Sequence, residues 1–133
     1  MVNFGPYDTV PEAFRERNLY KHNPSVTLMR TTVEENRQLG EKMAEKLNGS
    51  QGPTVLMLPL KGVSMLDVEG EAFHGPEEDE KLFDTLRQRI DRKTVELIEM
   101  NTDINDQAFA FSATEATRTR LGAVPQLTRP GTS

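Results

Sequence analysis

The segment from Thr54 to Asp67, Thr-Val-Leu-Met-Leu-Pro-Leu-Lys-Gly-Val-Ser-Met-Leu-Asp, constrains this chain more than any other. Val55 to Leu58 is a short, nearly continuous apolar run, with Gly52-Pro53 before it and Pro59 after it. A run of that length between breakers reads as a strand buried on both faces. Lys61, Gly62, Ser64 and Asp67 follow at once, all polar or small. In open α/β sheets, ligands bind in the crevice beyond the carboxyl ends of the strands. The chemical edge of the molecule is therefore expected here.

Composition sets the frame. The chain has 133 residues, which is one domain by length, and only 35% of them are hydrophobic, so the core is expected to be thin. A formal net charge of -5 argues against a general nucleic-acid surface. There is no cysteine, which removes disulfides and thiolate metal sites and permits a cytoplasmic setting. No apolar run approaches the ~20 residues that a membrane helix needs, and no charged-then-apolar leader precedes a cleavage site.

Taken in order, Met1-Val-Asn-Phe4 reads as the end of a strand. Pro11 suits the first turn of a short helix to Arg17, with Thr9 as a cap. Leu19 to His22 reads as a short strand stopped by Asn23-Pro24, and Val26 to Met29 as its extension or a separate segment. Thr32-Val-Glu-Glu35 has the spacing of a capping box. Leu39, Met43 and Leu47 then recur at helical spacing, so a helix is expected over about Val33 to Leu47. Gly40 within it predicts a close approach to the sheet. Pro76, followed by Glu77, Glu78 and Asp79, opens a second helix to about Asp91, its stripe being Leu82, Phe83, Leu86 and Ile90. Thr94 to Met100 alternates as a strand does. Asp103 and Asp106 cap a last helix to about Arg120, with Phe109, Ala113 and Ala116 inward.

The alternation of strands and helices predicts an α/β fold: a small parallel sheet with flanking helices, a Rossmann-like half-domain in three layers. Residues 1–121 are expected to form this single domain, and residues 122–133 a disordered tail.

Several runs together resemble a known family: Met1-Val-Asn-Phe-Gly5, His22-Asn-Pro24, Thr27-Leu-Met-Arg-Thr-Thr32, Leu58-Pro59 with Gly62-Val-Ser64, Asp67, Gly70, and Ile104-Asn-Asp106. They are similar, in order and spacing, to the C-terminal part of the tomato mosaic virus resistance protein-like ATP-binding domain family. That resemblance implies ATP as the ligand of the whole family domain, with its main site in a portion preceding these residues. It also implies that the chain is one portion of a larger domain. A histidine commonly precedes Ile-Asn-Asp in that pattern; Asp103 stands there in this sequence, so no role of that histidine carries over.

Two constellations suit a small anion. Arg30-Thr31-Thr32 joins a strand end to a helix start, combining a guanidinium, two hydroxyls and free N–H groups. Thr32 as a simple cap, with Arg30 paired to an acid, accounts for it equally. Lys61-Gly62-Val63-Ser64 places a cation and a hydroxyl beside a flexible glycine, without the spacing of a Walker loop; an ordinary βα loop is the alternative. Asn3, Asn23, Asp67, Asp103 and Asn105 are secondary candidates. Asp67, Asp103 and Asp106 are oxygen ligands of the kind a hard cation takes, but capping and loop support are the commoner roles, and no metal is expected. His22 and His74 fall on different elements and read as local hydrogen-bonding residues, and Ser64 has no evident base.

Two functions follow as expectations. One is a small-anion or nucleotide-type site at the carboxyl edge, with no catalytic residue assigned. The other is a non-catalytic association module, a homodimer or higher oligomer formed through Met1 to Phe4, or a partner of the preceding family portion. Neither nucleic acid nor membrane is expected as a partner.

Overall fold

The computed structural model describes residues 1–121, so the expected tail at residues 122–133 lies outside the described residues. The strands are β1 (Val2–Phe4), β2 (Leu19–Asn23), β3 (Val26–Met29), β4 (Thr54–Pro59) and β5 (Val95–Met100). The helices are α1 (Val33–Asn48), α2 (Pro76–Arg89) and α3 (Gln107–Leu121). The fold is α/β, with the parallel pair β4–β5 and flanking helices. Its register runs from Thr54 opposite Val95 to Pro59 opposite Met100.

Alternation along β4 divides its side chains between two layers. Leu56 and Leu58 face α1 and α2, where Ala44, Phe83, Leu86, Ile90 and Val95 complete the buried core. Val55 and Met57 face α3 across a groove. Val55, Leu56 and Met57 remain only half-buried, so the strand is less enclosed than its apolar run predicts.

The alternation of strands and helices predicts that α1 and α2 both cross over within one parallel sheet, and only one of them does. The α2 crossover joins parallel β4 and β5, but β3, which precedes α1, lies in another sheet. That sheet has the order β1–β3–β2 and is antiparallel throughout. The reason is local. Only Pro24 and Ser25 separate β2 from β3, and Asn23 Oδ1 accepts from Ser25 N, so the pair closes as a hairpin. A hairpin imposes antiparallel pairing and fixes β3 before any crossover can recruit it.

The expected helix at residues 11–17 is instead a pair of 3-10 turns, Tyr7–Thr9 and Glu12–Phe14. Thr9 donates to the Pro6 carbonyl rather than capping a helix. Helix α1 has its capping box: Thr32 Oγ1 accepts from Glu35 N, and Glu35 Oε2 accepts from Thr32 N. Its buried stripe, however, is Asn36, Gly40 and Ala44, leaving Leu39 and Met43 exposed. Gly40 lies against α2, not the sheet. A Cβ there would fall 2.8 Å from Thr85 Cβ. Small residues let the two helix backbones approach, and that approach turns the larger apolar side chains outward.

Candidate functional site

The carboxyl ends of β4 and β5 are bound to each other through their loops. Leu60 N donates to Met100 O, Lys61 N to Thr102 O, and Ile104 N to Gly62 O. Gly62 permits the turn, with φ at +146° and a Cβ position 1.9 Å from Asp67 O. No other residue type fits both conditions. Beyond these loops opens a cavity of about 410 Å³, lined by Leu60, Lys61, Val68, Glu69, His74, Pro76, Asp79 and Asp103. Lys61 and His74 are exposed, whereas Asp79 is buried.

Asp79 belongs to an ionic cluster behind the cavity wall. Arg30 Nη2 donates to Asp79 Oδ1 at 2.7 Å, to Asp67 Oδ1 at 3.1 Å and to Gly75 O at 3.2 Å. All three charged side chains are buried. Asp67 also accepts from Gly75 N at 3.1 Å and from Val63 N at 3.3 Å. One Nη2 carries two hydrogens, so three acceptors compete for them, while Arg30 Nε is buried without a partner. Two carboxylates against one guanidinium leave an excess negative charge in a desolvated place. Burial first, and then the neighbouring Asp67 carboxyl, push the Asp79 carboxyl up to about 7 despite the opposing pull of Arg30.

The predicted constellations adjoin without sharing a cavity. Asp67 links them, since Oδ1 meets Arg30 and Oδ2 meets Val63 N. Lys61 lines the carboxyl-edge cavity, whereas Thr31 lines a different one with Met1, Val2 and Leu39. Arg30 is engaged in two ion pairs, so it does not offer the open guanidinium fork expected at the helix start. Thr31 is buried and donates to Asn36 Oδ1, and Thr32 caps α1. Ser64 Oγ accepts from Leu66 N and thus supports its own loop. Asp103 reaches the cavity and accepts from Asn105 N, while Asp106 accepts from Ala108 N at the start of α3. Asn3 pairs with Leu28 in the antiparallel sheet, and Asn23 serves the β2–β3 turn.

Residues 1–121 match the family described as the uncharacterised protein family (UPF0261) C-terminal domain. The chain belongs to the UPF0261 family. It is 56% identical over 112 residues to a UPF0261 protein of Clostridium tetani, covering 84% of this chain and 28% of that protein. Against a UPF0261 protein of Rhizobium meliloti the identity is 46%, over 89% of this chain and 30% of the relative. The ToMV resistance protein Tm-1(GCR237) of Solanum lycopersicum is 40% identical over 83% of this chain and 15% of its own length. The chain thus spans under a third of each of these relatives. The resemblance to the C-terminal part of the tomato mosaic virus resistance protein family holds at the level of the family.

Within this UPF0261 domain, Asp79 and Glu69 were not among the expected site residues, and His74, read as a local hydrogen-bonding residue, lines the cavity with them. Asp79 read as a charge complementing the α2 dipole. A sharper signal was present: Asp79 lies four residues before Phe83 and seven before Leu86, on the apolar stripe itself. A carboxylate in that register must be buried, and a buried carboxylate needs a partner. Among the described residues, no helix is long and apolar enough to cross a membrane.

Proposed function

We propose that this domain supplies one wall of a small-anion or nucleotide-type ligand site, ATP in the reading that the family resemblance implies. The observation that carries the proposal is the carboxyl-edge cavity. It lies where ligands of parallel α/β sheets bind, and its volume of about 410 Å³ falls within the range of small-molecule sites. Lys61 supplies the cation at its rim. Arg30 acts from behind by holding Asp67 and Asp79 in place. Other walls of the site would belong to the remainder of the full-length protein.

Calorimetry with millimolar ATP and magnesium tests this reading on the chain itself. Heat of binding is expected, and Lys61→Ala should weaken it about tenfold, the value of one lost charge-assisted contact. Lys21→Ala should leave it unchanged, because Lys21 lies over the Tyr7 ring in the other sheet. Absence of heat from the unaltered chain at millimolar ligand sinks the proposal.

A specific observation favours association as the second reading. Leu39 and Met43 are exposed one turn apart on α1, and Met1 and Val2, equally exposed, share a cavity of about 370 Å³ with Leu39. β1 has one neighbour in its sheet, which leaves its other edge open among the described residues. Open strand edges beside apolar side chains attract partners. A light-scattering mass of a single chain at micromolar concentration rules out self-association through this surface.

A further inference from the structure

The carboxyl-edge cavity presents a difficulty for any anionic ligand. Glu69, Asp79 and Asp103 line it beside Lys61 and His74. Were all three carboxyls ionised, they would outweigh the lysine and repel the ligand. Two of them have a simple escape. Glu69 is exposed and turns toward solvent, and Asp103 is only half-buried, bonded to Asn105 N within its own loop, so water screens both charges. Asp79 has none, because Arg30 fixes its Oδ1 and only a tenth of its side chain remains accessible, at the cavity wall.

We infer that Asp79 holds a proton and faces the cavity as a neutral carboxylic acid, donating a hydrogen bond to an anionic oxygen of the ligand. This deepens, and rests on, the cavity reading proposed above. The geometry demands it on charge grounds: Arg30 from the end of β3 neutralises one carboxylate, and Asp67 from the loop before α2 takes that role. Asp67 meets Arg30 and accepts two backbone N–H groups, so both of its oxygens are already occupied as acceptors. Asp79 accepts only from Arg30 among the described residues, so the proton rests there. The upward shift of its carboxyl, driven first by burial and then by the neighbouring Asp67 carboxyl, agrees.

Among the described residues, charged groups reach Asp79 from three sides. Lys61, Glu69, His74 and Asp103 share the cavity, and Glu78 precedes it on α2. The Met1 amino group feels the charges of Arg30, Asp67 and Asp79 from the side of β1. A protonated Asp79 removes the one carboxylate charge of this wall that is buried away from screening water.

Two measurements test this. Carbon-detected NMR of the side-chain carboxyls, with Asp79 assigned through Asp79→Asn, should show it titrating near neutral pH, far above the ordinary aspartate value of about 3.9. Titration below about pH 5 overturns the inference whatever the ligand results. Calorimetry with tripolyphosphate should then show affinity falling about tenfold between about pH 6.5 and 8.5, with proton uptake revealed by buffers of differing ionisation heat. The comparison is made in His74→Gln, which leaves no imidazole in the cavity. Asp79→Asn keeps the donor and removes the titration, so its binding should be strong and flat across the same range. Binding that is independent of pH in the unaltered carboxyl background overturns the inference and leaves the ligand site standing. No binding at any pH removes the ligand site, and the NMR titration alone then decides the state of Asp79.

Discussion

The β4–β5 pair has two faces, and they are finished to different degrees. On one, α1 and α2 pack against Leu56, Leu58, Val95 and Leu97, burying Phe83 and Leu86 almost completely. The same side carries the Arg30–Asp67–Asp79 cluster, in which each charge is enclosed. On the other face, α3 stands off β4 across a groove of about 500 Å³ lined by Val55, Met57, Ile104, Phe109 and Ala113. Phe111 on α3 is 68% exposed. The closed face depends on small residues where helices meet and on a glycine against Thr85. The open face has side chains of ordinary size and is held in part by ion pairs at its margin, such as Arg120 with Glu96. Close packing thus goes with the face that carries the buried charges, where water must be kept out.

The comparison breaks first if the buried cluster proves dispensable. Arg30→Ala removes the buried cation and the hydrogen-bond donor that Asp67 and Asp79 share, and unfolding in urea should show a loss of about 3–5 kcal/mol. A loss below about 1 kcal/mol would mean that water reaches the cluster and that the face is not sealed.

The cluster also sets a pH dependence. Asp79 is raised from 3.8 to about 7, so between those values the folded chain holds a proton that the unfolded chain has released. Its contribution is fully present below the unfolded value and is lost as the pH rises through about 7. The urea midpoint should therefore fall from pH 5 to pH 8, and Asp79→Asn should flatten that slope. A midpoint that rises over this interval in the unaltered chain, with an equal rise in Asp79→Asn, contradicts the assignment.

Gly40→Val sharpens the contrast between helix pairs. Its side chain meets Thr85 at a distance that forces α1 and α2 apart, and about 1–3 kcal/mol should be lost. Hydrogen exchange should show the damage in α1 and α2 before α3. The smallest effect belongs to the open face: Phe111→Ser should change stability by no more than about 0.5 kcal/mol. A larger loss would show that Phe111 is covered in solution, by a partner or by another part of the chain.

Much of this protein was legible in its sequence because the signals are local. The Thr32–Glu35 box, Pro76 with three following acids, and the turn residues at Asn23-Pro24 each act within a few residues of chain. They fix where helices begin and where strands stop, and the α2 crossover follows from them. Which sheet β3 joins is different. The hairpin with β2 competes with the crossover through α1, and the shorter loop wins because it closes at less entropic cost. The outward turn of Leu39 and Met43 is likewise tertiary, since a helix pattern shows a stripe but not which neighbour will demand small residues. The candidate site shows the same division. Lys61, Asp67 and Asp103 are legible as polar groups at the carboxyl ends of strands. Only the folded chain brings Arg30, Asp67 and Asp79 together across 49 positions of sequence. It also removes water from around them, and that burial is what raises the Asp79 carboxyl.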